Sequence, residues 1–209
     1  MSHLTRSLAC ALCAALAGCA LLGKNDPVVP RYFTPLDDGP QPAPAARAPN
    51  SPAPRLELRL GRVEGWSHLR ERMVIRSAAQ ELVYSDDRRW TERPEVYLRR
   101  GLSQALFEER GLTEVRSGRA VSLEVELAAF EEVPGPPDRV RLRAFYTLHD
   151  DRLGLLQESL TLEQPVPPGP EAERPRAVAE AFGRVLHAAV AQVADRVVVR
   201  LSAPGVAAR

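Results

Sequence analysis

The sequence predicts an α+β fold, a two-layer sandwich in which two amphipathic helices pack on one face of a largely antiparallel sheet. Three observations carry this. Residues 121–127 and 139–148 alternate apolar and charged side chains at strand period, and Val133-Pro134-Gly135-Pro136-Pro137-Asp138 joins them as a hairpin. Residues 93–110 and 173–199 instead repeat apolar side chains at helical period. The chain has 209 residues, enough for one hydrophobic core even without its leading and proline-rich parts.

The chain starts with a short cationic tip containing Arg6 and an apolar run over residues 8–16. Residues 1–18 read as a signal peptide, because the run is too short to span a bilayer and small residues follow it. Leu16, Ala17 and Gly18 stand directly before Cys19 and resemble a bacterial lipobox. In such a motif Cys19 receives a diacylglycerol thioether and becomes the first residue of the mature chain; the plainer alternative is a secretory signal with a chance cysteine. Each buried methylene contributes about 0.8 kcal/mol, so a multiply acylated terminus is a stable anchor. Ala20 follows, not Asp, and the resemblance to sorted lipoproteins implies the outer membrane, periplasmic face. Cleavage removes Cys10 and Cys13 and acylation consumes Cys19, which leaves no thiol for a disulfide, a metal or catalysis.

Removing residues 1–18 takes one Arg from 28 basic residues and nothing from 27 acidic ones, so the mature chain is balanced. Balance gives no reason to expect nucleic acid or an acidic polymer as partner. No later apolar run reaches the roughly 20 residues of a membrane helix.

Residues 19–54 make a lipidated terminus and spacer. Tyr32-Phe33-Thr34-Pro35-Leu36 is a candidate edge strand, and residues 37–55 hold six prolines among Ala, Asp and Asn. That composition buries too little apolar surface to fold, and about 3.1 Å per residue would set the domain off its anchor.

The folded domain is expected over 55–201, with a frayed tail at 202–209. Leu56, Leu58 and Leu60 alternate with Glu57, Arg59 and Arg62 as a first strand. Short strands follow at 69–75 and 81–84, separated by Ser77-Ala78-Ala79-Gln80, while Ser85-Asp86-Asp87 reads as a turn. In the helix at 93–110, Leu98, Leu102, Ala105 and Leu106 share a face. Thr91 is the candidate N-cap, Pro94 fits the first turn and Gly111 the C′ position.

In the hairpin, Val121, Leu123, Val125 and Leu127 face the core, as do Val140, Leu142, Ala144, Tyr146 and Leu148. Glu124 and Glu126 are expected to lie near Arg139, Arg141 and Arg143 on the outer face. A third strand runs over 153–166 after the turn at His149-Asp150-Asp151-Arg152. In the closing helix, Val178, Ala181, Phe182, Val185, Ala189, Val193 and Val197 form the apolar stripe, with His187 on the polar side.

The sequence has no Gly-x-x-x-x-Gly-Lys, Gly-x-Ser-x-Gly or His-Glu-x-x-His. His149 with Asp150 and Asp151 offers metal-ligand chemistry, but three near-consecutive residues rarely close a site and read first as a polar turn. Glu108 and Glu109 read as a solvated helix end. A non-enzymatic protein without catalytic residues, metal or cofactor is the expectation.

Arg89-Trp90-Thr91-Glu92 before a Leu-rich helix, the strand Leu123-Glu124-Val125-Glu126-Leu127-Ala128-Ala129-Phe130 and an Ala-rich last helix resemble the PqiC-like family of ABC-type transport auxiliary lipoproteins. The order of these motifs behind a lipobox carries the resemblance, which spans about residues 31–200. It implies a non-enzymatic outer-membrane lipoprotein that works with an MCE-domain protein and ABC transporter subunits in envelope lipid transport and membrane integrity. It also admits a homo-oligomer. Trp90, with Arg89 and Glu92, becomes a candidate for a structural or an interface role. Two rival readings stay open: a periplasmic protein that binds lipid or lipopolysaccharide itself, and a lipoprotein hydrolase.

Overall fold

The structure, a computed structural model, describes residues 27–35, 56–150 and 153–203. The signal segment, Cys19 with its lipobox, Leu36, the proline-rich stretch, Asp151, Arg152 and the tail from residue 204 lie outside the described residues.

Among the described residues, eight strands and two helices form an α+β fold with one mixed, mostly antiparallel sheet. In chain order they are β1 (Arg31–Phe33), β2 (Glu57–Gly65), β3 (Arg72–Ala78), β4 (Glu81–Trp90), α1 (Pro94–Ser103), β5 (Thr113–Glu114), β6 (Ser122–Val133), β7 (Arg139–His149), β8 (Gly154–Pro165) and α2 (Arg174–Leu201). β6 is the central strand. On one side it pairs along its length with β7, and β7 with β8, all antiparallel. On the other side its first half takes β2 and its second half β3, both parallel. β4 then pairs antiparallel with β3, and the short β1 and β5 lie parallel to β4 and β2. Parallel pairing needs a crossover, and the segment through β3, β4 and α1 supplies it between β2 and β6.

The hairpin alternation is as expected: Val140, Leu142, Ala144, Tyr146 and Leu148 are all buried on the helix-covered face. The expected charge pairing is not. Register sets Glu124 opposite Thr147 and Glu126 opposite Phe145, and the acid that meets Arg141 is Glu131. Arg139, Arg141 and Arg143 lie beside the hairpin turn, whereas Glu124 and Glu126 lie toward the far end of β6. An irregularity between Leu127 and Ala129 then brings Glu131 to Arg141, because one extra residue turns Phe130 and Glu132 toward the helices and Glu131 toward the open face.

Other boundaries shift for similar reasons. β3 starts at Arg72, not at Leu69, which is buried in the preceding turn; Ser77 and Ala78 belong to the strand, and the turn is Ala79-Gln80. Ser85-Asp86-Asp87 lies inside β4. Between the pairs Arg72–Arg89 and Val74–Tyr84 only Met73 faces residues 85–88, so the turn-like composition marks a bulge, not a strand end. Helix α1 keeps α geometry only to Ser103 and continues as a π-helical turn, Gln104–Glu109. Its N-cap is Arg93, without a side-chain cap; Thr91 Oγ1 instead bonds the Tyr97 hydroxyl at 2.7 Å, which also accepts the Glu92 N–H. Gly111 closes the π turn with φ +70°, the conformation a C′ glycine supplies.

The core lies between the sheet and the two helices. Every member of the predicted α2 stripe is buried there. Among the described residues no helix is long and apolar enough to cross a membrane.

Candidate functional site

Trp90 ends β4 on the helix-covered face and is 1% exposed. Its ring meets Phe182 edge-on at 5.0 Å, Phe130 at 5.3 Å and Tyr97 at 6.3 Å, so it links β4, β6, α1 and α2. Its neighbours diverge. Arg89 is half-buried, with its backbone paired to Tyr32 and Arg72, while Glu92 forms a two-oxygen ion pair with Arg100 of α1. The three residues form one joint in the fold but do not converge on a common surface.

Two adjacent acids that pattern reading passes over are the most deeply buried charges described. Glu131 is 0% and Glu132 2% exposed. On the open face, Arg76 donates to both Glu131 oxygens at 2.7 and 2.9 Å, and Arg141 approaches at 3.4 Å on its way to Glu163 at 2.7 Å. The Glu131 hydrogen bonds hold the Arg76 guanidinium above its usual pKa. On the other face Glu132 takes Arg88 at 2.7 Å and Arg174, the first residue of α2, which also reaches Asp138 at 3.0 Å. The sequence signal was present: consecutive strand residues face opposite sides, so one Glu of a pair in a central strand must point into the core. Glu131 is held bidentately by Arg76 and Glu132 carries one arginine on each oxygen, the geometry of structural clamps.

The other sequence-marked polar groups build local structure. The Asp150 carboxylate accepts the Leu153 N–H at 2.6 Å and the Asp150 N–H donates back to the Leu153 carbonyl, which closes the β7–β8 turn. His149 stands 3.7 Å from Glu124. Among the described residues no three His, Cys, Asp or Glu side chains are grouped to hold a metal. Ser85 Oγ accepts from the Arg88 backbone and side chain, tying the β4 bulge. Glu109 pairs with Arg110, which crosses to Asp195 of α2. His68 is pushed below its ordinary pKa, chiefly by burial.

The sheet face away from the helices carries the candidate interface. Trp66, in the β2–β3 connection, is 47% exposed and stacks on Phe145 at 6.2 Å with planes 17° apart; Arg143 lies over the Phe145 ring at 4.9 Å. Beside this stack runs a groove of about 340 Å³ floored by β2, β6, β7 and β8, with Arg62, Glu64, Glu124 and Glu126 along it. It is shallow and mixed in polarity, a form that suits contact with another protein surface better than enclosure of a small molecule.

Fold and site define an α+β domain in which, among the described residues, the sequence-marked polar groups are engaged in local structure. The family model described as ABC-type transport auxiliary lipoprotein component matches residues 39–198, and the chain belongs to that family. Among solved structures it is similar to protein XCC0632 from Xanthomonas campestris, of the family model DUF330, with TM-score 0.59 and 16% identity over 72% of this chain and 90% of that one. A second crystal structure, of an uncharacterized protein, matches with TM-score 0.56 and 13% identity over 81% and 99% of the two chains. At such identities the likeness speaks to the fold. No curated protein matches the sequence. The aromatic β1 strand and the lipobox precede the family match, so β1 is placed by this chain's own packing.

Proposed function

We propose that this protein is an outer-membrane lipoprotein, acylated at Cys19 and facing the periplasm, that serves an envelope ABC/MCE-type lipid transport system as a non-enzymatic auxiliary component. The observation that carries the reading is the family match over residues 39–198, in a chain whose residues 16–19 have the lipobox form. Residues 1–18 act as the signal, 55–201 as the auxiliary domain. The open sheet face around Trp66 docks an MCE-type periplasmic subunit, while the helix-covered face is committed to the core. Docking to such a subunit supports membrane integrity without chemistry at the domain, and a homo-oligomer would multiply that contact.

The rival carrier reading needs room for an acyl chain between sheet and helices. At that place Trp90, Tyr97, Phe130 and Phe182 interlock, with the closest ring centroids 4.4 Å apart. That packing favours the auxiliary reading.

Crosslinking and affinity purification of the lipidated protein from its native envelope, beside Cys19→Ala and Trp66→Glu variants, tests the proposal. An MCE-type or ABC transporter subunit should be recovered with the parent protein and depleted with both variants. Recovery of lipid with no transport subunit would overturn it.

A further inference from the structure

Among the described residues, the first stretch fixed to the domain lies ahead of the proline-rich stretch, not behind it. Arg31, Tyr32 and Phe33 run parallel to Arg88, Arg89 and Trp90, and the Phe33 carbonyl accepts the Thr91 N–H at 3.0 Å. The Phe33 ring packs against the core. Two residues later Pro35 is buried, with its carbonyl oxygen against Gly183 in the middle of α2. A Cβ at residue 183 would stand 2.6 Å from that oxygen, and its three nearest heavy atoms would all belong to Pro35. Glycine inside a helix is destabilising against alanine, and here the missing Cβ makes the seat for Pro35.

The chain is fixed again at Leu56, whose carbonyl accepts the Thr113 N–H at 2.9 Å just before β2. Residues 36–55 therefore connect two fixed points of one body. Whatever conformation they take, they add nothing to the distance between Cys19 and the domain.

We infer that β1 and Pro35 form a clip that takes residues 36–55 out of the span between Cys19 and the domain, so that residues 20–30 alone set the reach of the domain from its anchor. The inference rests on the acylation of Cys19 proposed above. Eleven residues reach about 40 Å at full extension, whereas the 36 residues from 20 to 55 would reach about 130 Å if the chain were first fixed at β2. With the clip closed the domain is confined to the surface of the bilayer that holds its lipid.

The test uses the full-length lipidated protein in phosphatidylethanolamine/phosphatidylglycerol vesicles that carry a fluorescent headgroup acceptor. A donor dye is placed on the domain through Ser202→Cys. Inserting a second copy of residues 37–54 after Pro54 should leave energy transfer unchanged. Inserting ten Gly/Ser residues after Asn25 should remove about half of it, since mean reach grows as the square root of tether length. Gly183→Ala should lower transfer and raise hydrogen exchange at Tyr32 and Phe33, because its Cβ expels Pro35. A fall in transfer on doubling the proline-rich stretch, as large as that from the Gly/Ser insertion, would overturn the clip. Mass spectrometry of the terminus separates this from failure of the anchor itself: Cys19 without acyl chains, with background transfer in every variant, overturns the lipoprotein reading instead.

Discussion

Glu131 and Glu132, adjacent on β6, send their carboxylates through opposite faces of the sheet, and each is held by two arginines from other elements. The first joins β6 to β3 and β7. The second joins it to β4 and to the first residue of α2. Breaking a buried ion pair by removing one partner leaves an uncompensated charge, which costs about 3–5 kcal/mol. Glu131→Ala should fall near 3 kcal/mol, because Arg76 and Arg141 keep 24% and 27% of their side chains in water. Glu131→Met with Arg76→Met should recover much of the loss in urea unfolding. An additive double variant would show that the pair is not coupled.

The Tyr146 hydroxyl donates to the Glu158 carboxylate at 2.5 Å, and Arg196 of α2 approaches the same acid at 3.1 Å. Burial, then the Glu158 bond, pushes the Tyr146 pKa up from 10.0 to about 12. The folded state thus holds the phenol proton more tightly than the unfolded chain. This stabilisation is complete below about pH 10 and is lost as pH rises toward 12. Two pKa units correspond to on the order of 2–3 kcal/mol. Tyr146→Phe should flatten that alkaline loss, read as urea midpoints at pH 8 and 11.

The same bond holds Glu158 below its ordinary pKa of 4.5, with the Tyr146 hydroxyl as the largest cause. Its contribution is present above about pH 4.5 and lost as pH falls through the lower folded-state value. In an acid titration Tyr146→Phe should lose less stability between pH 5 and 3 than the parent protein. An unchanged acid limb would show that Arg196 alone holds Glu158.

Trp90 touches aromatic rings from three elements, so truncation leaves a cavity that no single element can fill. Trp90→Ala should cost about 3–5 kcal/mol, and Trp90→Phe distinctly less. Loss of near-ultraviolet ring dichroism should accompany the first. Retained stability in Trp90→Ala would rule out a structural role.

Gly101 of α1 faces Val190 of α2, and a Cβ there would stand 2.9 Å from Val190 Cγ2. Gly101→Leu should destabilise by about 2 kcal/mol through overpacking, despite its better helix propensity. Val190→Ala in the same chain should return part of that loss. No rescue would mean that the strain lies elsewhere along the helix.

Local period made much of the fold legible. The hairpin alternation and the α2 stripe are consequences of which side chains each element must bury, and burial is written residue by residue. The α1 start was read less well, since Thr91 bonds Tyr97 across the turn and Arg93 takes the cap position. The two bulges escaped because a bulge is a mismatch between two strands, invisible in either alone. The β4 bulge made Ser85-Asp86-Asp87 look like a turn, and the β6 bulge hid which Glu would face inward.

By itself the sequence determined the α+β class, the hairpin, the helical stripes and the family resemblance, because these depend on order and period along one chain. Tertiary structure decided that Trp90 lies in the core, that Glu131 and Glu132 are buried clamps, and that β1 docks ahead of the proline-rich stretch. Each of these turns on which distant residues meet. Arg76, Arg88 and Arg174 reach their acids across 42 to 55 residues of chain, and Pro35 finds Gly183 only once α2 has folded over the sheet. Composition records that a segment is rich in proline. Only packing at both of its ends determines whether it can act as a tether.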